Sequence, residues 1–463
     1  MNKKRQPIVA IKTFGCKVNR YESEAILESF KKEGYTVAGE EDFADVYVIN
    51  TCTVTKLSDR KSRQYIRRVK RINPESITCV VGCYAQVSPE EVAAIQGVDI
   101  IAGTNEKLNL YKFVEEKIDM SIDDNESLTA EKPLCYVKDF SELKEFVDTG
   151  SISSMENRTR AYIKIQEGCN QFCSYCIIPY ARGNIRSRSV KSILSEIEVL
   201  LKEGFKEIVL TGINTALYGC EDGFSETDND EKGILGLLKK IDRIENDFRI
   251  RLSSLEPTVV NAEYVKGLFG ISKLCHHLHL SIQSGSDKVL KSMKRHYDRK
   301  KYMEIVSVLR DFDPNYGITT DIIVGFPGES EEDFTDTVNI VENVNFSHCH
   351  IFPYSIRQGT LAAKMKDQVN SSIKSDRVKK LLGIADKQEH IFRNKLIGSN
   401  LNILIEEYIE DIDCFRGYSD NYVRCYINKS SLDSKGLGTD NLINRFITAR
   451  GICETEDGLE CEI

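Results

Sequence analysis

The sequence predicts a three-part α/β protein: an N-terminal open parallel α/β sheet, a central (β/α)6 partial barrel and a small C-terminal antiparallel β-barrel. Three observations predict it. Short apolar runs alternate with helical periods up to about residue 118, the same alternation resumes near residue 155, and beyond residue 396 the hydrophobic period drops to two. The length of 463 residues agrees, since about 150 residues per domain gives about three domains. At 41% hydrophobic and 29% charged residues the composition is that of a globular chain and excludes a fibrous or mostly disordered one.

In the first part, IVAIKTF (8–14), DVYVIN (45–50), ITCVV (77–81) and VDIIA (98–102) read as buried strands. Helical patterns at Glu22–Glu33, Lys56–Ile72 and Pro89–Ile95 lie between them, which makes βαβ units with parallel strands. The pattern dissolves at DMSIDDNESLTAE (119–131), so 1–118 is set as one domain and 119–154 as a linker. Between 155 and 374, six strands are expected at Tyr162–Gln166, Glu207–Thr211, Arg249–Ser253, His277–Ser281, Thr319–Val324 and Cys349–Tyr354. Helices between them imply a barrel whose site lies at the carboxyl ends of the strands. A Lys-rich helical connector (375–395) leads to the β-domain (396–463), an oligonucleotide-binding type of barrel or a plain packing module. The acidic loop Glu221–Glu231 reads as solvated surface.

No apolar run approaches the roughly 18–20 residues that cross a bilayer. Lys12 interrupts the N-terminal apolar stretch too early for a signal peptide, so a cytoplasmic location without membrane contact is expected. In that reducing compartment the 15 cysteines point to metal or thiol chemistry rather than to disulfides.

The sharpest signal is the loop GCNQFCSYC (168–176), a C-x3-C-x2-C spacing directly after the first strand of the central part. Three thiolates this close can share one metal centre. A zinc ion would need a fourth ligand that the neighbouring residues do not offer. A [4Fe–4S] cluster held by Cys169, Cys173 and Cys176 would keep one iron open for an exogenous ligand. The plainer alternatives are three buried thiols or zinc.

A second triad is dispersed. Cys16, Cys52 and Cys83 each follow a predicted strand, and ligands of open parallel sheets gather beyond the carboxyl ends of strands. The triad predicts a second three-cysteine cluster, with coincidence as the alternative. Cys79 falls inside its strand and reads as core.

Taken together, GCKVNRYES (15–23), NTCTVT (50–55), GCYAQ (82–86), GCNQFCSYCIIPYARGNIRSR (168–188), TGIN (211–214), RLSSLEP (251–257), LSIQSGSDKVLKSMKR (280–295) and DIIVGFPGE (321–329) resemble the radical S-adenosylmethionine (SAM) methylthiotransferase family. The resemblance spans nearly the whole chain in order. It implies an auxiliary [4Fe–4S] cluster on Cys16, Cys52 and Cys83, a radical-SAM cluster on Cys169, Cys173 and Cys176, and an RNA-binding-type (TRAM-like) C-terminal domain. GCKVN is similar to the branch that methylthiolates C2 of N6-threonylcarbamoyladenosine at tRNA position 37. The branches acting on isopentenyladenosine or on a ribosomal-protein aspartate are alternatives, and a non-catalytic iron–sulfur protein is the alternative from another class.

By the same resemblance, one SAM methylates a sulfur carried on the auxiliary cluster and another is cleaved to the 5′-deoxyadenosyl radical. A low-potential electron donor and a sulfur donor are implied partners beside the tRNA. SAM contacts are expected at the strand ends: Tyr175 within the cysteine loop, Gly212 and Asn214, Ser253 and Glu256, and Gln283 and Ser284. Each of these could instead serve local hydrogen bonding. Asp321 could be an interior polar residue, as could the pairs His277/His279 and His348/His350, for which a metal site is the minor alternative.

The formal charge of −8 argues against an RNA partner. Its distribution argues for one. Lys56–Arg71 carries eight Lys/Arg against Asp59 alone, Asp287–Lys301 carries seven, and Arg182, Arg186 and Arg188 follow the cysteine loop. Phosphate contacts of this kind give affinity without reading sequence. The C-terminal part, with six Lys/Arg against thirteen Asp/Glu, would bind RNA only through a local face such as Arg416, Tyr418, Tyr422, Arg424, Arg445 and Arg450. The cysteines outside the two triads read as core or surface thiols, with zinc at Cys414/Cys425 or Cys453/Cys461 as a minor alternative.

Overall fold

The computed structural model describes residues 5–53, 56–123, 132–149, 159–224, 233–434 and 442–463. The acidic stretches 124–131 and 225–232 lie outside the described residues. The chain divides into two compact units. Residues 1–152, 166–172 and 176–188 form the first, and residues 153–165, 173–175 and 189–463 the second.

In the first unit, β1 (Ile8–Thr13), β2 (Thr36–Val37), β3 (Val46–Thr51), β4 (Ile77–Gly82), β5 (Ile100–Ala102) and β6 (Leu134–Tyr136) make one parallel sheet in the order β2-β1-β3-β4-β5-β6. Every residue of β3 and β4 is buried. Central strands of a parallel sheet are covered on both faces, which is why these two read as unbroken apolar runs. One face packs Tyr47, Ile49 and Val80 against Ile66, Val69 and Tyr84. The other packs Val46, Val48 and Val81 against Ile26, Phe30 and Leu110.

Two differences from the sequence-based expectation concern this unit. The first helix runs Lys17–Lys32, beginning directly after Cys16 rather than at Glu22. The stretch expected as linker contains β6, which three residues of modest apolarity form within polar sequence; Tyr136 is held there by stacking on Phe113 at 3.7 Å.

In the second unit, β7 (Arg160–Lys164) is the first barrel strand, while the short antiparallel pair β8 (Gln166–Glu167) and β9 (Arg186–Ser187) belongs to the first unit. The remaining barrel strands are β10 (Glu207–Thr211), β11 (Arg249–Leu252), β12 (His277–His279), β13 (Gly317–Val324) and β14 (His348–Pro353). The parallel sheets β11-β10-β7 and β12-β13-β14 are linked by bridges at Ile250–Leu274 and Leu255–Leu280. Six parallel strands thus make the expected partial barrel. Five of its helices start on a capping side chain, Ser189, Asn261, Ser286, Asp298 or Ser330, that accepts a backbone N–H of the first turn.

The connector is a helix over Ser371–Lys395. It leads to β15 (Asn400–Ile409), β16 (Cys414–Ser419), β17 (Arg424–Asn428), β18 (Phe446–Glu454) and β19 (Leu459–Glu462), which close into a five-stranded barrel. Its core takes Cys425 and Cys461 among Ile403, Ile405 and Ile427, which is the core-thiol reading and not the minor zinc alternative. Cys414 stands opposite Asn428, and Cys453 bonds Glu460.

The β16–β17 turn docks at the amino ends of the barrel strands. Arg249 Nη2 donates to Tyr418 O at 2.9 Å, and the Arg160 and Arg251 guanidinium groups lie over the Tyr418 and Tyr422 rings at 4.7 and 4.4 Å. Tyr418 and Tyr422 are therefore committed to packing, not to an RNA face. Beneath them Glu207 is fully buried and accepts from Arg249 Nε at 2.6 Å and Arg251 Nε at 2.8 Å. Burial alone would raise its pKa, but Arg251 and Arg249 hold its carboxyl far below the usual range.

Candidate iron–sulfur site and its setting

Cys16, Cys52 and Cys83 follow β1, β3 and β4, and the sheet order makes those three strands neighbours. All three cysteines consequently stand at one edge of the first unit. Two glycines allow the close approach. Gly15 has φ +105°, and a Cβ there would lie 2.6 Å from Cys52 Cβ. Gly82 has φ +98°, and a Cβ there would lie 2.4 Å from Thr51 O. This is the physical content of the two Gly-Cys pairs: only a residue without a side chain lets the flanking loops close over β3.

The charge that organises this edge is Arg182, on the short helix Ile178–Arg182 and itself fully buried. Its Nε donates to Cys83 Sγ at 3.2 Å. Nη1 donates to Glu22 Oε1 at 2.6 Å and to Glu167 Oε1 at 2.5 Å. Nη2 donates to Asn19 Oδ1 at 2.6 Å and to Glu22 Oε2 at 3.1 Å. A guanidinium has five N–H groups, and here all five have acceptors. Burial alone would lower its pKa, but Cys83, Glu22 and Glu167 together push it well above its ordinary value. Burial raises the Cys16 thiol pKa, and the Arg182 charge opposes that. Lys107, also buried, pairs with Glu22, and burial lowers its pKa. Asn19 Nδ2 ties the start of the first helix to the strand ends through Phe14 O (2.8 Å) and Thr51 O (2.9 Å).

Two buried cations thus face two buried carboxylates, and the Cys83 sulfur is the further acceptor that the Arg182 Nε–H meets. These residues fit an anionic thiolate-held cluster, with a charge-assisted N–H donor on a ligating sulfur.

Sequence reasoning misses this role. It assigns Arg182, Arg186 and Arg188 to phosphates, but all three are buried: Arg186 donates to Leu143 O at 2.5 Å and Arg188 to Tyr21 Oη at 3.2 Å. A run of like charges does not reveal its acceptors. One signal was available: Asn19, Glu22, Ser23 and Ile26 occupy the buried i, i+3, i+4, i+7 face of one helix, so Glu22 is a carboxylate at a core position that demands a cation.

In the loop that carries Cys169, Cys173 and Cys176, each cysteine is half-buried. Within the second unit, Arg295 Nη2 donates to Tyr175 Oη at 2.6 Å, and Arg295 pairs with Glu256. Arg295 is thereby withdrawn from the basic run expected to meet RNA. Burial raises the Cys173 thiol pKa, and the Arg295 charge opposes that. Burial likewise raises Glu256, against the Arg295 charge.

Gly212 follows β10, and Asn214 caps the turn after it, accepting from Ala216 N at 3.2 Å. Ser253 Oγ, at the end of β11, is buried without a hydrogen-bond partner among the described residues, an orphan that a bound polar molecule would satisfy. Gln283 takes φ +66°, and its backbone N donates to Asp321 O at 2.9 Å. Ser284 Oγ accepts from Ser286 N at 3.2 Å, a local structural bond.

Two family models match the chain. Residues 8–103 match the uncharacterized protein family UPF0004, and residues 163–341 match the radical SAM superfamily. A radical SAM methyltransferase structure, TsrM from Kitasatospora setae with cobalamin and a [4Fe–4S] cluster bound, superposes with a TM-score of 0.52 at 14% identity, covering 75% of each chain, which is a likeness of fold alone. The two matches define a radical-SAM enzyme with an additional N-terminal domain.

The chain is 40% identical over 446 residues to the threonylcarbamoyladenosine tRNA methylthiotransferase MtaB of Bacillus subtilis, covering 96% of this chain and 93% of that one. It is 39% identical to MtaB of Thermotoga maritima over 90% of each chain. The tRNA-2-methylthio-N(6)-dimethylallyladenosine synthase of Methylacidiphilum infernorum is 37% identical over 86% of this chain and 84% of its own. The chain belongs to the radical-SAM methylthiotransferase family, in its MtaB-like branch.

Proposed function

We propose that this chain transfers a methylthio group to C2 of N6-threonylcarbamoyladenosine at position 37 of tRNA, with SAM as methyl donor and radical source. The observation that carries the reading is the Cys16, Cys52 and Cys83 edge gathered around the buried Arg182, in a chain that also bears the C-x3-C-x2-C loop. Cys169, Cys173 and Cys176 would hold one [4Fe–4S] cluster, and Cys16, Cys52 and Cys83 the other. When bound, the first supplies with SAM the radical that removes the C2 hydrogen, and the second carries the sulfur delivered there.

The protein's own part is charge, position and exclusion of water. Arg182 offsets negative charge at the sulfurs without access to solvent. Gly15 and Gly82 set the spacing of the three cysteines. Arg295 fixes Tyr175 and Glu256, which with Gly212, Asn214, Ser253, Gln283 and Ser284 are the residues read as SAM contacts. Exposed Arg60, Lys61, Arg67 and Arg71, on the helix Lys56–Ile72, supply phosphate contacts for the tRNA.

Reductive cleavage consumes an electron and each turnover consumes a sulfur atom, so a low-potential electron donor and a sulfur donor are required partners. The reading places the chain in the cytoplasm with its tRNA; among the described residues no helix is long and apolar enough to cross a membrane. Mass spectrometry of tRNA nucleosides from cells with and without the gene tests the substrate. Loss of 2-methylthio-N6-threonylcarbamoyladenosine in the deletion is expected. Its persistence, or loss of the isopentenyl product instead, rejects the reading.

A further inference from the structure

Among the described residues, one group of three His, Cys, Asp or Glu side chains has all its ligand atoms within 4.8 Å of one another: His279, Asp321 and His350. They come from three neighbouring parallel strands. His279 of β12 pairs with Thr319 of β13, and Asp321 of β13 pairs with His350 of β14. Adjacent strands lie about 4.8 Å apart, and residues two apart share a face, so regular sheet geometry converges these side chains. No loop is needed to bring them together. The histidines two residues earlier on the same faces have partners of their own: His348 Nδ1 is held by Glu389 at 2.8 Å, and His277 Nε2 lies 3.0 Å from Thr319 Oγ1.

We propose that His279, Asp321 and His350 bind one divalent first-row transition-metal ion, at a site that uses none of the six cluster cysteines. His279 Nε2 stands 3.1 Å from Asp321 Oδ2. Two ligand atoms on a tetrahedral ion with bonds of about 2.0–2.1 Å are separated by roughly 3.3 Å, so this pair needs little movement to share an ion. His350 is exposed, while the His279 side chain is only 12% exposed, which gives the ion an entry side and an anchored side. Two imidazoles and one carboxylate leave coordination positions open for water or for an oxygen or nitrogen atom of a bound substrate.

The outer partners are in place for it. His279 Nδ1 lies 2.9 Å from Thr319 Oγ1, which lies 3.0 Å from His277 Nε2. A hydroxyl both donates and accepts. Without an ion, Nε2–H of His279 donates to Asp321, and Thr319 donates to Nδ1. With an ion, Nδ1–H donates to Thr319, Thr319 donates on to His277, and Nε2 presents its lone pair. Only the tautomers and the hydroxyl rotor change. Ser281 Oγ donates to Asp321 Oδ2 at 3.2 Å and orients the carboxylate. Held second nitrogens and held carboxylates are the outer shell that fixes metal ligands.

The test uses the full-length chain, reconstituted anaerobically with iron and sulfide so that its cluster cysteines are occupied, then equilibrated with Zn(II) and dialysed. Elemental analysis should find one zinc per chain, and zinc-edge absorption should show nitrogen and oxygen ligands at about 2.0–2.2 Å with no sulfur shell. His350→Ala changes an exposed position and should weaken zinc binding at least tenfold, with iron and sulfide unchanged. Thr319→Val should weaken it about 10–100-fold through the His279 tautomer. Zinc held by sulfur at about 2.3 Å, no zinc retained, or equal binding by His350→Ala would overturn the proposal. Zinc retention needs neither SAM nor tRNA, so its failure leaves the methylthiotransferase reading standing.

Discussion

Arg182 Nε donates to Cys83 Sγ across 3.2 Å, from a guanidinium that no solvent reaches. Because its other four N–H groups are taken by Glu22, Glu167 and Asn19, the side chain cannot turn away from the sulfur without leaving a carboxylate unpaired. Removing one partner of a buried charge pair costs about 3–5 kcal/mol. Arg182→Met should therefore lower the Tm by roughly 6–20 °C. It should also lower iron from about eight to about four per chain, the content of one four-iron cluster. Calorimetry and iron analysis check both. Full iron content at an unchanged Tm would show that Cys83 does not depend on this donor.

The glycine before Cys83 supports a sharper contrast. Gly82→Ala places a Cβ 2.4 Å from Thr51 O in a backbone conformation of φ +98°. Gly34 has φ +84° but no atom within 4 Å of a would-be Cβ. Gly34→Ala should cost only the left-handed penalty of about 1–2 kcal/mol. Gly82→Ala should displace β4 from β3 as well and lose the auxiliary iron. Denaturation and iron analysis of the pair separate backbone strain from steric exclusion.

Glu207 predicts a pH dependence. Its folded pKa lies far below its unfolded value near 4.3, so its stabilisation is complete above that value and lost as pH falls toward the folded one. Glu207→Gln should be less stable than the wild type by about 3–5 kcal/mol at pH 7, since Arg249 and Arg251 lose their buried partner. The difference should shrink below about pH 4. Urea midpoints of both proteins at pH 7 and at about pH 3 measure it.

Exposed Arg60, Lys61, Arg67 and Arg71 should contribute to tRNA affinity in a sequence-independent way. Replacing all four by Ala should weaken binding and flatten its dependence on salt by about 0.7–0.9 logarithmic units for each phosphate no longer neutralised. Filter binding across a salt series reads this out. An unchanged slope would move the RNA path elsewhere.

Much of this arrangement is legible in residue order. Cys16, Cys52 and Cys83 fall at one edge because each follows an apolar run, and apolar runs in alternation with helices become parallel strands. The partial barrel follows from the same logic. What residue order hides is pairing across the chain. Arg182 and Arg295 look like surface charge because their acceptors, Glu22, Glu167 and Glu256, are far away in sequence or masked by ordinary helix polarity. Tyr418 and Tyr422 look available for bases because nothing local shows that Arg160 and Arg251 cover their rings. Strand β6 is hidden by its brevity.

The division of labour between the two cysteine sites is the central claim, and product analysis with Cys52→Ala tests it most directly. Reconstituted wild-type and variant chains, given SAM, a reductant and tRNA carrying N6-threonylcarbamoyladenosine, are assayed for 5′-deoxyadenosine and for the 2-methylthio nucleoside. The wild type should form both, and Cys52→Ala should form 5′-deoxyadenosine without the methylthio product. Methylthio product from Cys52→Ala, or its absence from the wild type, would contradict the account.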